Sequence, residues 1–195
     1  MIMQNGIRGR EDYALWYIEI TEPRLLEYLN HLRTYFSNFL FQPNIRQFHI
    51  TLFVCGFLTE NQPLFNDDFS IVQFKQQIQQ VMQQQLQSFK ISTGNIQSFD
   101  SALFVEIFDY ENSLSKFRKL FAKNHCEIAA LQYLPHITLG LYNQAYNASQ
   151  IFQAIDSIQQ EYFEINIEYL TFGYYKAKMI QGQLFTYQHI YLGSL

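Results

Sequence analysis

At 195 residues, 48% of them hydrophobic, and with a formal net charge of −4, the chain is long enough to close a substantial core. It is too acidic overall to hold a long polyanion by counterion release, so any nucleic-acid substrate should be short or gripped at one end. The 19 Phe and 14 Tyr against one Trp argue against disorder and predict a core built largely from rings.

Residues 1–13 lack the apolar run of an export signal, and no later stretch approaches the length of a membrane span. Cys55 and Cys126 show no metal-type spacing, and one pair is a poor disulfide framework for a domain of this size. A reduced, cytoplasmic monomer forming one two-lobed domain, 1–195, is expected.

Tyr13 to Ile20, rich in aromatic and branched residues, reads as the first strand. Thr21-Glu22-Pro23 reads as a helix start with Thr21 as cap, and Leu25, Leu29, Leu32 and Phe36 form the buried stripe of a helix over Pro23 to Phe36. Gln47 to Phe57 is a strand. From Ser70 to Leu86, Ile71, Phe74, Ile78 and Val81 keep the helical period while glutamines fill the face expected to be wet. The preceding Asp67-Asp68 pair suits the positive end of that helix better than a cation site.

Phe89 to Gln97 and Ala102 to Asp109 read as strands joined by the turn Ser98-Phe99-Asp100-Ser101. Leu114, Phe117 and Phe121 mark a helix capped near Asn112 or Ser113; Tyr133 to Tyr142 is a strand entered through Pro135. A helix over Ala148 to Gln160 and two terminal strands, Phe163 to Tyr175 and Leu184 to Leu192, complete the chain. The order predicts an α+β fold with mostly antiparallel sheets and helices on their outer faces. A helix before and after each of two identical tetrapeptides also hints at an internal duplication.

Those tetrapeptides are His49-Ile50-Thr51-Leu52 and His136-Ile137-Thr138-Leu139. Alternation on a strand puts His49 with Thr51, and His136 with Thr138, on one face, backed by aliphatic residues on the other. If the two halves face each other, two imidazoles and two hydroxyls meet across one groove. One imidazole can then accept a proton from the attacking oxygen while the other donates to the departing one, and the hydroxyls can stabilise charge on non-bridging phosphate oxygens. This chemistry needs no metal or cofactor, and none is expected.

By the same alternation Phe53, Gly140, Tyr142 and Cys55 should also face the groove. Phe53 and Tyr142 are candidates for stacking on a base, Gly140 for admitting the ligand, and Cys55 for a small buried hydrophobe. Basic residues are sparse: Arg46 lies just upstream of the first motif, Lys176 and Lys178 lie in the last hairpin, and no arginine sits inside either motif. His31, His125 and His189 read as structural or surface residues.

Phe48-His49-Ile50-Thr51-Leu52, Leu134-Pro135-His136-Ile137-Thr138-Leu139-Gly140 and the Ser98-Phe99 stretch resemble the two-histidine phosphoesterase superfamily, which contains the 2'-5' RNA ligase-like proteins and RNA cyclic phosphodiesterases. The resemblance runs from near Trp16 to near Tyr191. It implies a bilobal duplicated fold with two sheets facing across a central groove. It also implies His49, Thr51, His136 and Thr138 as the catalytic tetrad, with opening of 2',3'-cyclic phosphates to 2'-phosphates, or formation of 2'-5' linkages, as the activity. Arg46, Phe53, Gly140 and Tyr142 are the candidate substrate contacts, and a small cyclic nucleotide or an RNA terminus is the candidate ligand. The alternative is a binding module that keeps the groove for a nucleotide or RNA end without catalysis.

Overall fold

In the computed structural model, which describes residues 10–128 and 132–193, strand pairing follows the order β7-β4-β5-β6-β2-β1-β8-β9, with the short β3 set against β2. The strands are β1 (Asp12–Glu19), β2 (His49–Thr59), β3 (Asp68–Ser70), β4 (Phe89–Ser98), β5 (Ala102–Phe108), β6 (His136–Leu141), β7 (Glu164–Ile167), β8 (Tyr169–Lys176) and β9 (Leu184–Tyr191). The helices are α1 (Pro23–Tyr35), α2 (Ile71–Gln83), α3 (Ser113–Phe121) and α4 (Ala148–Asp156). Residues 1–9, read above as lacking an export signal, lie outside the described residues. No helix among the described residues is long and apolar enough to cross a membrane.

Among the described residues all pairings between strands are antiparallel except β2 with β3. The two expected sheets are two wings of one curled sheet: β7-β4-β5-β6 and β2-β1-β8-β9 meet where β6 pairs with β2, at the register pair Ile50↔Ile137. The predicted strand Phe163 to Tyr175 is in fact two. β7 closes one wing against β4 and β8 joins the other against β1, so the chain changes wings at Glu168.

Two of the helices, α1 and α3, cross between wings. α1 packs on β6 and α3 on β2, while α2 lies beside α3 and α4 against β4. Trp16 on β1 shows why α2 and α3 settle where they do. Its indole stacks on Phe121 of α3 at 4.6 Å and lies 5.8 Å from Phe74 of α2, and Phe74 stacks on Phe172 of β8 at 4.1 Å. Burying such rings removes large apolar areas from water and fixes their mutual geometry.

Polar groups refine the sequence reading at several points. The glutamine-rich α2 is not wet all round, because Gln77 is buried, accepts the Trp16 indole N–H at 2.7 Å and donates to the Phe121 carbonyl at 2.9 Å. An indole N–H taken out of water requires such a partner. The cap of α1 is Glu22 rather than Thr21, its carboxylate accepting from Leu25 N. For α3 the capping acceptor is Asp109, which receives the Ser113 and Leu114 amides at 3.0 and 2.7 Å, while Asn112 makes no side-chain cap. Ser70 and Gln73 form a reciprocal capping box at the start of α2. Asp68 belongs to β3, and both Asp67 and Asp68 pair with Arg10.

Candidate active site

His49 and Thr51 on β2, and His136 and Thr138 on β6, flank the single pair that joins the wings. With Ile50 opposite Ile137 in antiparallel register, His49 lies beside Thr138 and Thr51 beside His136. Ile50 and Ile137 are fully buried on the core side, and the four polar residues are half-buried on the other. The seam therefore brings both imidazoles and both hydroxyls to one place.

The two rings are oriented alike. His49 Nδ1 lies 2.8 Å from the Gln47 carbonyl and His136 Nδ1 lies 2.7 Å from the Leu134 carbonyl, each two residues back. A carbonyl only accepts, so Nδ1 carries the proton and Nε2 of the neutral ring keeps its lone pair. Burial pushes the His49 imidazole down to about 4, with the charges of Arg46, His136 and Arg33 adding to the shift and the Gln47 carbonyl opposing it. Burial also lowers His136, against the Leu134 carbonyl.

Each motif ends in a β-bulge. Tyr17 pairs with Thr51 and Trp16 with Phe53, skipping Leu52; Phe104 pairs with Thr138 and Leu103 with Gly140, skipping Leu139. One extra residue reverses the alternation beyond it, and three expected groove contacts move as a result. Phe53 turns into the core, 1% exposed, against Phe121 and His125. Gly140 is buried, and a Cβ there would meet Leu40 at 3.1 Å, so its lack of a side chain admits Leu40 rather than a ligand. Tyr142 bonds to the Ser98 hydroxyl at 2.7 Å and packs on Tyr146. Leu141 takes the groove side instead. Cys55 is buried as expected, and both cysteines are free.

The bulges also free a carbonyl each, and an arginine from the crossing helix takes it. Arg33 of α1 donates Nε to the Leu139 carbonyl at 2.9 Å and stacks over Phe48 at 3.8 Å. Arg118 of α3 donates to the Leu52 carbonyl and stacks over Tyr133 at 3.8 Å. Strand alternation points to neither residue. Both, however, stand four residues after a buried leucine of their helix, Leu29 and Leu114, where a charge within an apolar stripe is itself a signal.

Two cavities open on the tetrad. One of about 660 Å³ is lined by Thr51, His136, Phe99, Asp100, Tyr133 and Arg118 among others. Phe99 stacks on Phe104 at 4.0 Å, and both rings stand edge-on to His136 at 5.1 and 5.2 Å. The other, of about 170 Å³, is lined by His49, Thr51, Thr138, Arg33 and Arg46 with neighbouring amides. Lys176 pairs with Asp12 and Glu11, and Lys178 with Glu11. Among the described residues no three His, Cys, Asp or Glu side chains cluster as metal ligands. His125 is held between the Cys55 carbonyl and Gln73, and His189 by Thr171.

A two-winged α/β fold whose inner strands each present a histidine and a threonine to one groove defines a class. The family model for the 2'-5' RNA ligase superfamily matches residues 22–177, and the chain belongs to that superfamily. Among solved structures, E. coli LigT complexed with 3'-AMP is similar over 93% of this chain and 98% of its own, at 12% identity and a TM-score of 0.66. TT0787 of Thermus thermophilus is similar over 93% and 98%, at 12% identity and a TM-score of 0.58. At these identities the likeness establishes the fold. No curated protein gives a significant match.

Proposed function

We propose that this chain opens 2',3'-cyclic phosphates of RNA ends or nucleotides to 2'-phosphates by imidazole acid–base catalysis without a metal ion, and that the same site joins 2'-5' ends when a 5'-hydroxyl takes the place of water as the nucleophile. The observation that carries the reading is the meeting of His49, Thr51, His136 and Thr138 around the Ile50↔Ile137 pair. One imidazole takes a proton from water through Nε2 as the water oxygen bonds to phosphorus. The P–O3' bond breaks, and the other imidazole, protonated on both nitrogens, gives a proton to O3'. The threonine hydroxyls donate to the non-bridging oxygens, where charge grows in the transition state.

Cavity size supports a nucleotide ligand, since about 660 Å³ is within the range of small-molecule sites. Phe99, 37% exposed and backed by Phe104, offers a ring face for a base. Crystals of the similar LigT hold 3'-AMP, ATP or NADP+. The test is incubation with the four 2',3'-cyclic nucleotides and an oligoribonucleotide ending in a cyclic phosphate, with EDTA present and the product phosphate located by phosphorus NMR. The expected product is the 2'-phosphate. Affinity without turnover across that panel would replace this reading with the binding-module one.

A further inference from the structure

Arg33 and Arg118 are counterparts, each an arginine from a crossing helix on a bulge carbonyl, but their charges are treated differently. Arg118 is paired with the Glu127 carboxylate through both terminal nitrogens. Arg33 gives its second bond to the Arg46 carbonyl at 3.2 Å, and no carboxylate among the described residues pairs with it. Arg46 adds a second such guanidinium, with Nε on the Gly182 carbonyl at 2.9 Å and its plane over Tyr175 at 4.2 Å.

Both line the smaller cavity with His49 and Thr138. The amide N–H groups around them are already engaged: Gln47 donates to Leu184, Asn44 to Leu139 and Gln181 to Phe41. Among the described residues no hydrogen bond reaches Nη2 of Arg33 or either Nη of Arg46. Burial lowers Arg33 to about 10 and lowers Arg46 too, yet both stay charged at neutral pH. Holding two like charges half-buried without counter-charge is costly unless an anion arrives. A cyclic phosphodiester brings one negative charge, already met by two hydroxyls and an imidazolium.

We propose that Arg33 and Arg46 form a second phosphate subsite beside His49, for the 5'-phosphate or 5'-side phosphodiester of a 2',3'-cyclic phosphate whose nucleoside occupies the larger cavity. This rests on the phosphoesterase reading and narrows its substrates to cyclic phosphates that carry a further phosphate.

The test compares kcat/KM for adenosine 2',3'-cyclic phosphate, its 5'-phosphorylated form, and a diadenosine ending in a cyclic phosphate. In the wild type the substrates with a second phosphate are expected to be better by about tenfold, the scale of a charge-assisted pair. Whether the 5'-phosphate or the diadenosine gains more identifies the natural form of the group. In Arg46→Gln the ratio should collapse toward one, and Arg46→Lys should restore part of it. Equal values in the wild type, or an unchanged ratio in Arg46→Gln, would overturn the subsite. If the wild type turns over none of the three, the phosphoesterase reading fails separately, and calorimetric titration with 5'-AMP against adenosine decides. Tighter binding of 5'-AMP that is lost in Arg46→Gln supports the subsite, and equal binding of the two ligands overturns it.

Discussion

The half of the groove around His49 and the half around His136 share a plan and differ in what surrounds it. Both put Nδ1 on a carbonyl two residues back, end the motif in a bulged leucine, and satisfy the bulge with an arginine from the opposite half. Around His49, whose ring meets a single aromatic edge at Tyr17, the further additions are cationic, with Arg33 and Arg46 lacking carboxylate partners among the described residues. Around His136 they are aromatic, with Phe99 and Phe104 edge-on to the ring and the local arginine neutralised by Glu127. Under the proposed chemistry the duplicated parts serve proton transfer and the diverged parts distinguish one end of a ligand from the other.

If the two halves are chemically equivalent, His49→Ala and His136→Ala should each cost about 10³-fold in kcat with the fold retained, judged by circular dichroism. Turnover at wild-type level in either variant would break the symmetry outright. Thr51→Val and Thr138→Val should each cost about 10²-fold, mostly in kcat, because their donors act where charge develops. The difference between halves sharpens at Phe99: Phe99→Ala should raise KM about tenfold with kcat little changed, the scale of one lost stacking platform.

The smallest effect is on pH. Both imidazoles are held below 6.5, His49 down to about 4, so both limbs of the kcat/KM profile, which reports the free protein, should lie on the acid side of 6.5. A bound phosphate favours imidazolium and raises these values, so the kcat profile should sit at higher pH. Between pH 6.5 and 4 the unfolded chain binds a proton that folded His49 refuses, so stability falls on acidification through that window. Denaturant titrations of His49→Gln should show a shallower dependence there.

Much of this is legible in the sequence. Among the described residues, periodicity locates all four helices, and its seven predicted strands cover eight of the nine observed, since their apolar stripes are long enough to be read. Only β3, three residues long, escapes, and β7 and β8 read as one strand because nothing in Ile167-Glu168-Tyr169 announces a change of wing. The placement of the candidate site is legible as far as Thr51 and Thr138. Beyond them the bulges at Leu52 and Leu139 reverse the facing of Phe53, Gly140 and Tyr142, and a bulge is set by pairing with a partner strand, which local alternation does not encode. The basic groups that are scarce beside the motifs come from a helix and a loop; only Arg46 is close enough in sequence to be noticed.

The exchange of helices has a consequence for how the molecule can be divided. A nick in the stretch 60–66 would give two pieces, each holding one histidine motif, yet the first piece would leave α1 without β6 and the second would leave α3 without β2. Neither fragment would keep a floor beneath its own histidine-bearing strand, whereas the two expressed together should recombine, so complementation, not truncation, is the way to vary one half at a time.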